Sequence, residues 1–155
     1  AKDDVVQPLD CSPGFVEQDD ACVLDADARW DVIVIGGAFE PTDPDGNDWD
    51  LNDGLPDGYV VIEFGAKPFE AETDPDSEKL NPVWNDTLIW AQSASELRTH
   101  FRLSLYDFDS YDITGDDLQA SCTITLPDEV FEVEEFRAQD VDGDCPSVRL
   151  ALQLN

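Results

Sequence analysis

Methionine is absent from this 155-residue chain, and basic residues are scarce. Eight Lys and Arg residues stand against 37 Asp and Glu residues, which gives a formal net charge of -29. We therefore expect no nucleic-acid partner, because phosphate binding needs clustered basic side chains. The absence of methionine also leads us to expect that the chain is a processed piece of a longer precursor.

Several kinds of site and segment are missing from the sequence. No window of about 18 residues is apolar throughout, so no membrane-spanning helix is predicted. The single histidine is His100 and no CxxC pair occurs, so a zinc site is not expected. The motifs HExxH and GxSxG are also absent, and we predict that the chain is not an enzyme.

The four cysteines lie far apart, at Cys11, Cys22, Cys122 and Cys145. An even number at wide spacing is typical of disulfides formed in an oxidising compartment, and free thiols in a cytosolic protein are the alternative. Three pairings are possible. We favour Cys11–Cys22, which closes a short loop, and Cys122–Cys145, which joins two late strands. This interpretation places the protein outside the cytosol: secreted, periplasmic or on the cell surface.

Apolar residues alternate with polar ones in short runs, which predicts β-strands. We expect residues 1–28 to form a disulfide-stapled extension without regular structure, and residues 29–155 to form one β domain. Residues 128–138 fit either a strand or a short helix. About eight strands at this spacing predict an all-β fold, an eight-stranded antiparallel β-sandwich. The clearest strands are expected at 30–39, 59–65, 83–90, 101–106, 118–126 and 147–154, with a weaker one at 67–73.

Three aspartate-rich loops, residues 40–58, 74–81 and 107–117, follow the strands that begin at Trp30, Lys67 and Phe101. They are the first, third and fifth connections, and such connections gather at one end of an antiparallel sandwich. Crowded carboxylates repel one another, and a hard cation with oxygen ligands would offset that repulsion. A solvated acidic surface is the alternative.

Three segments in and beside these loops resemble the C2 domain family. They are DGLPDGYVVIEF at 53–64, EKLNPVWNDTLIW at 78–90 and LYDFDSYDITGDDLQASCTITL at 105–126. They occur in the family's order, and the likeness covers about residues 30–155. The resemblance implies a C2-like sandwich with the circularly permuted, type II strand arrangement. It also implies a module that docks on phospholipid membrane through calcium.

The resemblance implies a site for about two Ca²⁺ ions, built from the first and third acidic loops. The implied carboxylate ligands are Asp50, Asp57, Asp107, Asp109 and Asp117. Asp48 and Asp53 are alternatives to Asp50, and Asp112 and Asp116 are alternatives to Asp117. The main-chain carbonyls of Trp49 and Phe108 fall at matching positions, and the second loop could add Asp74 or Asp76.

Membrane contact is implied at the loop tips, where Trp49, Tyr111 and Ile113 lie; packing of these side chains on their own loops is the alternative. Two Ca²⁺ ions restore four charges out of -29. The strand around Lys67 also lacks a lysine cluster, so we expect a phospholipid surface that is not strongly anionic. The alternative function is a calcium-stabilised structural or adhesion module of a secreted or cell-surface protein, with a protein partner.

Overall fold

The computed structural model describes residues 9–49, 54–65, 69–108 and 116–155. Two short α-helices, α1 (Ala94–Arg98) and α2 (Ala138–Val141), and a 3-10 helix (Asp128–Phe131) interrupt the strands. Within these ranges, no helix combines the length and the apolar character that a membrane crossing requires. The strands are β1 (Phe15–Gln18), β2 (Ala21–Leu24), β3 (Arg29–Ala38), β4 (Gly58–Phe64), β5 (Phe69–Glu72), β6 (Val83–Ser93), β7 (Phe101–Asp107), β8 (Asp117–Ile124), β9 (Phe136–Arg137) and β10 (Ser147–Leu154).

Eight of the strands form the predicted antiparallel β-sandwich. One sheet has the order β6-β3-β10-β9, and the other has the order β5-β4-β7-β8. The weak strand expected near residue 70 is present as β5. The remaining pair, β1 and β2, forms a separate two-stranded sheet.

The two inner strands of each sheet supply most of the core. Alternate residues of β3 and β10 point inward, and so do alternate residues of β4 and β7, as the period of a strand requires. These side chains interdigitate between the sheets and keep apolar area from water, which is the main favourable term in folding. The most deeply buried of them are Val32, Val34, Val60, Ile62, Phe101, Leu103, Leu105, Val148 and Leu150.

The expectation that residues 1–28 lack regular structure is wrong for residues 15–24. β1 and β2 pair antiparallel through a two-residue turn in which Asp19 and Asp20 have positive φ angles of 51° and 62°. Positive φ at both central residues makes a turn whose twist matches that of the strands. The hairpin packs on the sandwich, because Phe15 is buried in the core and the ring of Trp30 lies against Gly14.

Both favoured disulfides are present, Cys11–Cys22 and Cys122–Cys145. Cys145 precedes β10 and Cys122 lies in β8, so the second bridge joins the two sheets across the core edge. For residues 128–138 the sequence fits either a strand or a short helix. The structure has both, with the 3-10 helix first and the two-residue strand β9 near the end. The helix α2 follows β9 directly.

Gly58, at the start of β4, is required by the packing of a neighbouring ring. A Cβ atom at this position would lie 2.4 Å from Cε2 of Phe39, which is closer than two carbon atoms can approach without displacement. Phe39 directly follows β3 and is itself buried. The absence of a side chain at Gly58 therefore lets the first acidic loop leave β3 and return to β4 in close contact.

We predict that Gly58→Ala lowers the free energy of unfolding by about 1–3 kcal/mol, the usual cost of forcing extra volume into a packed site. Urea denaturation in a calcium-chelating buffer measures this change. Gly143→Ala is the matched control, because a Cβ there meets no atom within 4 Å. The control should differ from wild type by less than about 0.5 kcal/mol. Equal stability of the two variants would contradict the prediction.

Candidate metal centre

The end of the first acidic loop and the start of the third are directly hydrogen-bonded. The amide of Asp57 donates to Oδ1 of Asp107 at 2.8 Å, and the amide of Phe108 donates to the carbonyl of Asp57 at 2.8 Å. These bonds continue the ladder between β4 and β7, in which Gly58 is the register partner of Asp107. The prediction that Asp57 and Asp107 share one end of the sandwich is therefore confirmed.

The second acidic loop reaches the same place. The amide of Glu78 donates to Oδ1 of Asp57 at 2.6 Å. Main-chain bonds of 2.9 and 3.2 Å join Asp76 and Gly58 in both directions. The three loops therefore meet around the start of β4, as the order of the connections predicted.

Asp76 has a structural task at this junction. Its carboxylate accepts the Val83 amide at 2.9 Å and the Lys79 ammonium at 3.0 Å. The hydrogen bond from the Val83 amide, together with Lys79, holds the pKa of Asp76 below its usual value. Both oxygens of Asp76 are thus engaged in fixing the loop to the start of β6, and Asp74 is exposed beside it.

Asp107 is fully buried at the end of β7, and Asp117 is its register partner at the start of β8. Like charges directly opposite on paired strands destabilise a sheet. Two unit charges about 4 Å apart repel by about 1 kcal/mol in water, and by about 4 kcal/mol at an effective dielectric constant of 20. Because Asp107 is buried, the repulsion between the two carboxylates is closer to the larger of these two values.

Asp116, directly before β8, makes a side-chain hydrogen bond to β4. Its Oδ2 accepts a hydrogen bond of 2.6 Å from the hydroxyl of Tyr59, whose ring stacks on that of Tyr106. Burial raises the pKa of Tyr59, and the hydrogen bond and negative charge of Asp116 raise it further. The Tyr59 hydroxyl therefore stays protonated at neutral pH and remains a donor to Asp116.

Several predicted residues lie outside the described ranges. They are Asp50, Asp53, Asp109, Tyr111, Asp112 and Ile113. Among the residues that are described, no three acidic, histidine or cysteine side chains are arranged to hold a metal ion. Asp48 is described and exposed, next to the start of the first gap.

Trp49 does not lie at an exposed tip, so the predicted membrane contact of this side chain is wrong. Only 2% of Trp49 is exposed. Its ring packs edge-on against Phe39, and its indole nitrogen donates to the carbonyl of Glu40 at 2.8 Å. The loop folds back because the Asp43 carboxylate accepts the amides of Asp45 and Asn47, which closes a tight turn before Trp49.

Two other apolar side chains are exposed at the acidic end, and both were missed from the sequence. Leu55 is 43% exposed and Phe108 is 40% exposed, and they flank the hydrogen-bonded pair Asp57 and Asp107 in the chain. Strand alternation was the available signal, because a residue next to the inward Asp107 must point the other way. From the sequence, Phe108 is expected to contribute its main-chain carbonyl alone.

The donor groups at this end suit a hard divalent cation. Asp57, Asp107 and Asp117 come from three different chain segments and offer oxygen ligands, which calcium prefers. Asp107 adds a carboxylate that is buried and faces a second carboxylate across the strand pair. A cation between them would convert the repulsion into attraction. The residues present therefore fit calcium.

Known structures resemble the sandwich. A C2 domain of plant extended synaptotagmin 1 matches with a TM-score of 0.55 and 16% identity, over 84% of this chain and 98% of that one. Calcium-bound extended synaptotagmin 2, in a structure with two C2 domains, matches with a TM-score of 0.51 and 21% identity, over 84% and 46%. Human GIVD cytosolic phospholipase A2 with terbium chloride matches with a TM-score of 0.52 and 18% identity, over 84% and 18%. At these identities the likeness establishes the fold alone.

No functionally curated protein matches the chain in sequence. The family model described as "C2 domain" matches residues 40–140, which is about two thirds of the chain. This range begins in the first acidic loop and contains the other two. The sequence motifs, the two antiparallel sheets and the family match agree, and the chain belongs to the C2 domain family.

Proposed function

We propose that this C2 domain binds calcium through Asp57, Asp107 and Asp117, and that the bound calcium docks it on phospholipid membrane. The observation that best supports the proposal is the position of Asp107. Its carboxylate is fully buried, accepts the Asp57 amide, and faces Asp117 across the strand pair. Calcium is the ion whose oxygen preference fits such a set of ligands.

The remaining ligands belong to the same proposal. Asp50 and Asp109 would complete the first and third loops, together with the main-chain carbonyls of Trp49 and Phe108. We assign the last ligand to Asp117, because Asp117 is the register partner of the buried Asp107. Five carboxylates match about two Ca²⁺ ions bridged by shared side chains, since each ion takes about 6–8 oxygens.

Asp107→Asn should weaken calcium binding at least about tenfold, because it removes the charge of a proposed ligand. Substitution of a residue that only supports a metal ligand already costs about 10–100-fold in affinity. Calorimetric titration of the calcium-stripped protein measures the affinity. For the wild type we expect a dissociation constant of about 10⁻⁴–10⁻³ M, which is usual for extracellular modules.

Asp20→Asn is the matched control for that titration. It makes the same charge change in the β1–β2 turn, where the left-handed backbone also suits Asn. The hairpin packs at Trp30, the start of β3, whereas the acidic loops follow the other end of that strand. Equal weakening of calcium binding in both variants would mean that net charge, and no defined site, governs the binding.

Leu55 and Phe108 support the membrane part of the proposal. They are exposed apolar side chains beside the proposed ligands Asp57 and Asp107. Burial of apolar area at an interface contributes about 25 cal/mol per Å². Two Ca²⁺ ions leave the chain strongly negative, because they restore four charges of -29. We therefore propose a surface that is zwitterionic or weakly anionic.

We predict that wild-type protein sediments with phosphatidylcholine vesicles in calcium and stays in solution with EDTA. The double substitution Leu55→Ala and Phe108→Ala should reduce the bound fraction at least severalfold while calcium affinity stays within about twofold. Trp90→Ala is the control, because Trp90 is also an exposed aromatic residue, at 62%. It lies seven residues along β6 from Val83, which is the residue of that strand nearest the acidic loops. Binding that survives the double substitution, or that is lost equally in the control, would contradict this prediction.

A calcium-stabilised structural or adhesion module is the second candidate function. It is favoured by the high negative charge, since self-repulsion destabilises the folded chain and bound cations relieve it. Calcium at 100 times its dissociation constant would add about 2.7 kcal/mol of stability. Calcium-dependent thermal stabilisation without sedimentation on any vesicle would favour this candidate. C2 domains are non-catalytic modules, and we propose no reaction for the chain.

The two disulfides favour an oxidising compartment. We therefore propose that the protein acts outside the cytosol, as a secreted, periplasmic or cell-surface protein. Calcium is plentiful in extracellular fluids, so a site of modest affinity would be filled there.

A further inference from the structure

Two of the eight basic residues, Arg137 and Arg149, lie directly opposite each other. They are register partners on β9 and β10, in the sheet that does not carry Asp57, Asp107 or Asp117. Like charges at directly opposed positions destabilise paired strands. In a chain with 37 acidic residues, such a pair is the reverse of what the composition favours.

The two arginines line one cavity of about 260 Å³ with Gly37, Asn81, Val83 and Ser147. No acidic side chain is among the described residues that line it, whereas Glu135 and Asp140 line a neighbouring cavity that the same two arginines share. A water molecule occupies about 30 Å³ in the liquid, so the cavity has room for a tetrahedral ion and several waters. The Ser147 hydroxyl and the Asn81 amide can add neutral hydrogen-bond donors to the two guanidinium groups.

The side chain of Arg149 lies across the neighbouring strand β3. A Cβ atom on Gly36 would lie 3.0 Å from Nη2 of Arg149, so the guanidinium group rests over a position that has no side chain. Glu135 forms an ion pair with Arg149 at 3.6 Å, and both side chains are about half exposed. Charge-assisted hydrogen bonds are usually about 2.7–2.9 Å long, so this contact is loose.

The cavity lies beside the proposed calcium site and is distinct from it. Val83 lines the cavity, and its amide donates to Asp76, which is bonded in turn to Gly58. The strand β3 enters the first acidic loop directly after the cavity residues Gly37 and Ala38. An anion held by the arginines would therefore lie at the same end of the sandwich as the calcium loops, on the opposite sheet.

We propose that Arg137 and Arg149 bind a phosphate group, either as the free ion or as the exposed phosphomonoester of a lipid headgroup. Planar guanidinium groups pair with phosphate oxygens through two parallel hydrogen bonds each. A phosphate dianion balances both positive charges in one group, whereas the neighbouring carboxylates of Glu135 and Asp140 carry one charge each. The loose Arg149–Glu135 contact can open at small cost, because exposed ion pairs contribute little stability.

Calorimetric titration of the calcium-free protein with inorganic phosphate tests the proposal, at constant ionic strength set with sodium chloride. EDTA keeps the calcium site empty, so the result is independent of the proposed function. We expect saturable binding of one phosphate, weakened at least about tenfold by either Arg137→Gln or Arg149→Gln. Arg102→Gln, the same change on β7 of the other sheet, should bind as wild type does.

A second measurement covers variants that fail to fold. In wild-type protein, phosphate should shift the amide NMR signals of Gly37 and Ser147 and leave that of Ser121, beside Arg102, unchanged. Vesicles of phosphatidylcholine with phosphatidic acid, in EDTA, distinguish the two sources of phosphate. Sedimentation that is lost in Arg137→Gln supports the lipid headgroup, and binding of inorganic phosphate without sedimentation supports the free ion. Titration heats equal to those of added sodium chloride, with no shift at Gly37 or Ser147, would overturn the proposal.

Discussion

The repulsion among carboxylates at one end of the sandwich is the constraint on which the rest of the structure depends. Asp107 ends a core strand with no exposed surface, and the paired strand begins at Asp117. A buried carboxylate is costly unless it is paired with a cation or with hydrogen-bond donors. The Asp57 amide is one donor, at 2.8 Å. A calcium ion would supply the positive charge that an amide cannot.

The strands and the apolar side chains of the sandwich fix the ends of the acidic loops, and this keeps the carboxylates close to one another. The ladder between β4 and β7 sets Asp57 and Asp107 against each other. The space around Gly58 admits the Phe39 ring, and the Trp49 ring packs on Phe39 from the first loop. Rigid support of this kind keeps these carboxylates close together. The proposed calcium site therefore lies over apolar packing, so stability and calcium affinity should be coupled.

The features that depend on local period could be predicted from the sequence. The alternation of apolar and polar residues predicts Leu103 and Leu105 in the core. The order of the connections, first, third and fifth, predicts that Asp57 and Asp107 lie at the same end of the sandwich. The features that depend on distant partners could not. Trp49 has the sequence context of a loop-tip residue, and its burial follows from contact with Phe39 and Glu40. The β1–β2 hairpin was missed because its turn is Asp19-Asp20, which lacks the glycine that usually marks a tight turn.

We propose that a divalent cation lets Asp57, Asp107 and Asp117 share one end of the molecule. A crystal structure of the protein grown with calcium tests it most directly. We expect an ion with oxygens of at least two of these carboxylates at about 2.3–2.6 Å. Well-ordered loops in saturating calcium, with water alone between Asp107 and Asp117, would contradict it.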